Sequence, residues 1–320
     1  MLFGRFLPSC IRISAMAIES GYGKRYCLRL ADGQGWHLIA AEEVRSWVEK
    51  LASLMELEAY SGNHYPKLIF IRRETDKDGW EEPTCCLDPT IQDNLPRTGW
   101  IGRNLAAIQI WSHPKVPDVI CEMGHQESHV LDILRMSLSI YPIFEGAQGA
   151  GGLPFHAALI ERDGCGILLA GPGDTGKSTC CRRLSRTWQT RCDDGTLVVL
   201  DVQRRYLAHP FPTWSDFLWQ SSEQTWRVEW HVPLSAIFFL EQAEIDEAVP
   251  VGPGQGAVLM TRSAMEVYQP NWIVLAQEKG RNIRKKLFDN ACELAKSIPA
   301  FKLRVSLNGQ FWKEIEKVLP

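Results

Sequence analysis

Residues 171–179 read GPGDTGKST and follow directly on the apolar run GILLA. Gly171, Gly176, Lys177 and Ser178 stand at the spacing G-x-x-x-x-G-K-[ST], the pattern of a phosphate-cradling loop. Each residue type has a physical reason to be there. Glycines let backbone N–H groups turn inward onto phosphate oxygens, and a helix starting at the loop points its positive end at the same anion. Lys177 reaches the outer phosphates as a point charge, and the Ser178 hydroxyl is of the kind that ligates Mg²⁺. Gly171, Pro172, Gly173, Asp174, Thr175, Gly176, Lys177, Ser178 and Thr179 are therefore expected to hold a nucleotide. With no [N/T]-K-x-D guanine-recognition motif in the sequence, the nucleotide is taken as ATP with Mg²⁺.

The approach to the loop is the more informative feature. The stretch FHAALIERDGCGILLAG predicts a hairpin, because Asp163-Gly164 is a favoured two-residue turn between alternating apolar runs. That register sets His156 opposite Gly171, beside the mouth of the loop. Downstream, Asp193 and Asp194 follow the loop helix where the chain re-enters the sheet, so they are expected to emerge near the loop. One carboxylate there takes a proton from an attacking hydroxyl while its neighbour orients a partner or holds the metal. Two apolar strands end in an acid, at Asp201 and Glu241. Asp201 leads into VQRRY, which reads as an exposed hairpin, so Glu241 is the candidate metal ligand, with Glu229 a second.

These residues need elements to carry them. GILLAG before the loop reads as a strand and KSTCCRRLSRTW after it as a helix. Upstream, RYCLRLADGQGWHLIA alternates like two strands around a turn, AEEVRSWVEKLASLME has helical spacing, and KLIFIRR is a strand. Residues 75–83 and 89–102 read as loops, and a second helix is predicted over residues 127–141. Residues 145–154, EGAQGAGGLP, read as a linker. The expected division is a mixed α/β region over 1–145 and an ATP-binding catalytic domain over 146–320, so the fold class is α/β with α+β character. Four of the twelve tryptophans, Trp214, Trp219, Trp226 and Trp230, crowd one segment, as either core aromatics or a peptide-gripping surface beside Pro210 and Pro212.

Composition excludes some alternatives. The net charge is −3, and no Lys/Arg run is long enough for a nucleic-acid arm. No apolar stretch approaches the roughly 18 residues of a membrane span, and Arg5, Pro8 and Arg12 interrupt the apolar start before a signal-type segment forms. The chain is expected to be cytoplasmic. Ten cysteines with no CxxC read as reduced, mostly apolar fillers. Cys121, His125 and His129 stand at four-residue spacing, which a helix start explains.

Taken in order, a His-bearing strand (PFHAALIERDG), a phosphate loop (LLAGPGDTGKST) and a paired acid (CDD) resemble the catalytic domain of HPr kinase/phosphorylase and its relatives over roughly residues 150–240. The segments GGLPFHAALIERDG, HPFPTWSD, PLSAIFFLEQAEIDE and FDNACELAKSIP look like the C-type SynChlorMet cassette proteins, an HPr-kinase-like group associated with peptide-modifying gene cassettes. The resemblance implies a phosphoenolpyruvate-carboxykinase-like nucleotide fold and a homo-oligomer. It makes Asp193 the general base on a serine hydroxyl, with Asp194 and His156 assisting. Lys177 would bind the β- and γ-phosphates and Ser178 would hold Mg²⁺. Where HPr kinases carry an E-x-R-G-L-G signature, this chain has EWHVPLSAI, so HPr itself is not carried over as the acceptor. The expected function is a Mg²⁺-ATP-dependent kinase acting on a hydroxyl of a peptide or small protein. The alternative is an accessory protein that binds nucleotide without phosphotransfer.

Overall fold

The computed structural model describes residues 25–60, 62, 64–72, 83, 95–105, 107–126, 128–219, 223–268 and 278–319. The amino-terminal stretch read against a signal segment, and the loop expected at 75–83 apart from Pro83, lie outside them. The chain is mixed α and β, built around two mixed sheets. No helix among the described residues is long and apolar enough to cross a membrane.

The first sheet holds β1 (Tyr26–Arg29), β2 (Gly35–Ala40), β3 (Glu58–Ala59), β4 (Lys67–Arg72), β5 (Ile101–Asn104), β6 (Ile108–His113) and β7 (Val116–Met123), in the order β3-β1-β2-β4-β7-β6-β5. Helix α1 (Arg45–Leu54) lies between β2 and β3 in the chain and buries Val48, Leu51 and Leu54. The expected strand pair and helix are thus present. The centre is β4, whose Leu68, Ile69, Phe70 and Ile71 are all buried. A continuous apolar run is what a strand with parallel neighbours on both edges requires, and β4 runs parallel to β2 and to β7. Residues 101–102, read as loop, instead begin β5.

Between the sheets lie α2 (His129–Ser139) and α3 (Tyr141–Gly149). The single helix predicted over 127–141 is two, because Pro142 starts a new helix more readily than it continues one. Ser128 caps α2 by accepting from the Leu131 N–H at 3.1 Å. The linker expected at 145–154 is corrected here. Residues 145–149 are the last turns of α3, with Ala147 and Gln148 buried, and Leu153 and Pro154 already belong to the next strand. The glycines serve a close pass of chain on chain. Gly151 takes φ +99°, and a Cβ on Gly152 would stand 2.6 Å from the Val198 carbonyl oxygen.

The second sheet holds β8 (Leu153–Arg162), β9 (Cys165–Ala170), β10 (Gln189–Cys192), β11 (Gly195–Leu200), β12 (Tyr206–Phe211), β13 (Val232–Gln242), β14 (Glu247–Val251) and β15 (Ala300–Val305). Around it are α4 (Lys177–Arg183), α5 (Trp214–Trp219), α6 (Pro253–Val267), α7 (Glu278–Ser297) and α8 (Trp312–Val318). The pairings of β8 with β9, β9 with β13, β13 with β12, β12 with β11, and β11 with β8 close a ring. Strand β9 is buried on both faces. Leu168 and Ala170 join one apolar cluster, while Ile167 and Leu169 join a second with Cys180, Phe311 and Ile315. The loop at residues 171–176 therefore follows a strand packed on both faces.

The β8–β9 hairpin has the predicted register, with Arg162 opposite Cys165 and Ala157 opposite Ala170. Its turn has Asp163 at φ +52° and Gly164 at +77°, the two positive values of a type I′ turn. A Cβ on Gly164 would meet nothing within 4 Å, so only backbone strain opposes substitution. Gly164→Ala is expected to lower stability by about 1 kcal/mol, measured by denaturant unfolding. A neutral result would mean the turn relaxes at no cost.

Candidate functional site

Four segments converge at the carboxyl end of β9. The first is the loop, residues 171–176, between β9 and α4, as the apolar run and the helix-compatible stretch predict. Helix α4 ends at Arg183, earlier than that stretch implies. Asp174 at φ +62° and Gly176 at +99° bend the backbone back on itself. Thr175 Oγ1 donates to Pro172 O at 2.7 Å, and Gln242 Nε2 ties the end of β13 to Asp174 O at 3.1 Å. Lys177 is buried, and its Nζ donates to Gly171 O at 2.8 Å and Pro172 O at 3.2 Å. Ser178 and Thr179 are exposed on the first turn of α4.

The second segment is the acid pair. Cys192 faces Leu159 and Gly195 faces His156 on the edge of β8 away from β9, and Asp193 and Asp194 fill the gap between them. The third is His156 itself. Its Nε2 lies 2.8 Å from Asp194 Oδ1 and its Nδ1 lies 2.9 Å from Glu266 Oε2. The fourth is α6, which supplies Glu266, with Arg262 one turn earlier at 3.7 Å from the same carboxylate. Ser263 Oγ donates to His156 O at 3.3 Å, fixing α6 against β8.

The chemistry of this chain of groups follows from donor counting. Ionised carboxylates only accept, so a ring bonded to one on each nitrogen must carry both protons. His156 is thus an imidazolium in this arrangement. Burial pushes its pKa down, but hydrogen bonding to and the charge of Asp194, with help from Glu266, outweigh that and leave it raised. For Asp194, burial works upward, while the His156 bond and the charges of His156 and Lys177 win and hold it below the usual carboxylate range. The two shifts agree in sense, as an ion pair requires. Lys177 is lowered, first by burial, against the opposing fields of Asp194, Glu266, Asp193 and Asp174. Asp193 is held differently, its Oδ1 accepting from Thr213 Oγ1 at 2.6 Å. Burial, then the charges of Asp193 and Asp194, raise Asp216 on α5.

Of the expected metal ligands, Ser178 adjoins the loop and Glu241 lines a cavity of about 290 Å³ with Gly171 and Pro172, where Lys302 Nζ donates to it at 2.6 Å. Glu229 stands elsewhere. It precedes β13 at the end remote from the loop, since Leu234 pairs beside Gly166 and Phe239 beside Ala170. Its carboxylate accepts from the backbone N–H, Nε and Nη2 of Arg29 at 2.8, 3.1 and 3.2 Å, linking β1 to the second sheet. Glu229→Gln is expected to leave Mg²⁺-dependent nucleotide affinity unchanged and to cost less than about 1 kcal/mol of stability. Loss of Mg²⁺ dependence would return Glu229 to the metal. Among the described residues no three His, Cys, Asp or Glu are grouped to hold a metal, and Cys121 lies buried in β7 with His129 Nε2 bonded to Phe217 O. Were Mg²⁺ to bind here with a nucleotide, the Ser178 hydroxyl and one or two of the carboxylates beside the loop would be the residues to hold it.

Sequence reasoning missed Glu266, Arg262, Thr213 and Lys302, none of which carries a motif. The tryptophans divide. Trp226 is buried in the core, Trp230 lies under the Arg191 guanidinium at 4.3 Å, and Trp214 lines a second cavity of about 530 Å³ that also reaches His156 and Asp194. The side chain of Trp219 lies outside the described ones. Asp201 sits in a turn, accepting from the N–H groups of Gln203 and Arg205. The seven described cysteines are all free, and burial pushes the Cys181 thiol up to about 12, as filler cysteines should behave. No curated protein matches the chain. The family described as SynChlorMet cassette protein ScmC matches residues 119–320, a span that takes in the loop, His156, the acid pair and Glu266 and more than half of the sequence, and the chain belongs to that family.

Proposed function

We propose that the chain is a Mg²⁺-ATP-dependent kinase that transfers the γ-phosphoryl group to a hydroxyl, a serine by the HPr-kinase resemblance, of a peptide or small protein in a peptide-modification pathway. The observation that carries the reading is the field around Lys177, where the loop lysine, two adjacent aspartates and a carboxylate-bridged imidazolium act on one another. The nucleotide domain is proposed to be HPr-kinase-like, supported by a hairpin that feeds the loop and by an acid pair on the other edge of β8. A cytoplasmic setting and a homo-oligomer belong to the same proposal.

Each residue then has a task. Lys177 exchanges two carbonyl acceptors for phosphate oxygens, which bind an ammonium more strongly because both partners are charged. Asp194 is bonded to His156 and held below the usual carboxylate range, so it is a weak base. Asp193, oriented by Thr213, is the acid that accepts the proton of the attacking hydroxyl. His156 keeps Asp194 and Glu266 from repelling each other and keeps Asp194 ionised beside Lys177. Mg²⁺, when bound with the nucleotide, supplies charge neutralisation on its β- and γ-oxygens. Little covalent chemistry is asked of the protein, and positioning with fixed charges does most of the work.

The test follows the γ-phosphate. Purified protein is mixed with Mg²⁺ and γ-labelled ATP, with and without candidate peptides and extracts of its host. Label appearing on a peptide or protein hydroxyl supports the kinase. ATP that stays intact under tight binding overturns it in favour of a nucleotide-binding accessory protein.

A further inference from the structure

The site opens on two sides. Toward the loop, the smaller cavity sets the apolar Phe239, Leu240 and Leu259 beside the charged Glu241, Arg262 and Lys302. On the other side, the 530 Å³ cavity is walled by Leu134 and Tyr141 from α2 and α3, by Phe211, and by Trp214 and Leu218 from α5. Glu266 borders both cavities, whereas His156 and Asp194 border only the second. Glu266 is therefore the shared wall between a chamber beside the loop that carries Arg262 and Lys302 and a larger apolar chamber.

Three hydroxyl groups on the apolar walls are already engaged by the protein. Tyr141 Oη donates to Val267 O at 2.8 Å, Ser137 Oγ to Leu134 O at 2.8 Å, and Thr196 Oγ1 to Ala157 O at 3.0 Å. The carboxylates of Asp194 and Glu266 are bonded to His156. What these walls offer a ligand is mainly hydrocarbon and ring faces, with Ser215 on the α5 wall and ionised groups along one side. Phosphoryl transfer needs donor and acceptor to approach from opposed sides, and a small polar alcohol would leave this chamber's aromatic surface wet.

We infer that the apolar chamber is the acceptor's side-chain pocket, and that it takes a bulky apolar side chain flanking the acceptor hydroxyl in a peptide. The word acceptor rests on the kinase reading; the binding preference does not. Seating a phenyl group out of water stabilises the complex, which sets the expected size of the preference.

The test is a titration of the full chain, with Mg²⁺ and a non-hydrolysable ATP analogue and again without them. The probes are two capped pentapeptides, Gly-Phe-Ser-Phe-Gly and Gly-Asn-Ser-Asn-Gly. The phenylalanine peptide is expected to bind at least about tenfold more tightly. Ser137→Trp, which fills the chamber from α2, is expected to abolish that preference while nucleotide affinity and unfolding midpoint stay unchanged. Leu218→Trp fills it from α5 and serves if the first variant misfolds. Equal affinities, including no binding of either peptide, overturn the inference, as does a preference that survives both filled chambers. A chain that binds the phenylalanine peptide yet never moves the γ-phosphate keeps the pocket and loses the kinase.

Discussion

Asp193→Asn is expected to slow phosphotransfer by roughly 10²–10⁴-fold, the range of a lost general base, with nucleotide affinity held within about twofold. Asparagine matches aspartate in shape, and its carbonyl oxygen can still accept from Thr213 Oγ1, so the position is kept and only charge and basicity go. The direction for nucleotide binding can be argued separately. Asp193 is one of four carboxylates whose field acts on Lys177, and removing one anion lessens the repulsion felt by phosphate. Affinity should therefore hold or rise slightly. Single-turnover kinetics with saturating labelled ATP separate the two effects. A variant that transfers phosphate at the parental rate would take the proton-acceptor role away from Asp193, and the inertness of Asp194 in its bond to His156 would then have to be reconsidered.

How much of this was legible beforehand depended on whether the signal was local. The loop, the hairpin that feeds it and its register were readable because turn chemistry and spacing are properties of adjacent residues, and Asp163-Gly164 names its own turn type. The placement of His156 followed from counting across the hairpin, and that of the acid pair from where the chain re-enters the sheet after the loop helix. Glu266 was not readable. It lies more than a hundred residues from His156, and only the packing of α6 on β8 brings them to 2.9 Å. Glu229 misled for the same reason in reverse, since an acid near a strand suggested a ligand until Arg29, from the other sheet, took its carboxylate. The Gly-rich residues 145–154 misled by composition. Glycine marks flexibility in one setting and close approach in another, and the Val198 carbonyl beside Gly152 decides which. The ring of strands also has no local signature, because β13 joins β9 and β12 across long stretches of chain.

His156→Leu is expected to cost about 2 kcal/mol near pH 6, below the usual loss on breaking a fully buried ion pair because these groups keep partial contact with solvent. The loss should depend on pH in a definite sense. His156 has a raised pKa in the fold, so its stabilisation is complete below its ordinary value of 6.5 and disappears as pH rises through the raised value. Asp194 has a lowered pKa, so its contribution is complete above 3.8 and disappears as pH falls through the lowered value. The pair is therefore at full strength between those two ordinary values. Above the raised His156 value the ring has one N–H to share between two carboxylates, and Asp194 or Glu266 loses its donor. The gap in unfolding midpoint between the parent and His156→Leu should be widest near pH 5.5 and narrow steadily toward pH 9. Since leucine also leaves Asp194 and Glu266 facing one another without a cation between them, part of the gap persists at every pH at which both remain ionised. A gap that does not change over that range would mean that His156 holds its proton no more tightly in the fold than in the unfolded chain. In that case Asp194 or Glu266 would lose its donor already near neutral pH, and the charge balance on which Asp193 is assigned the proton-accepting role would no longer hold.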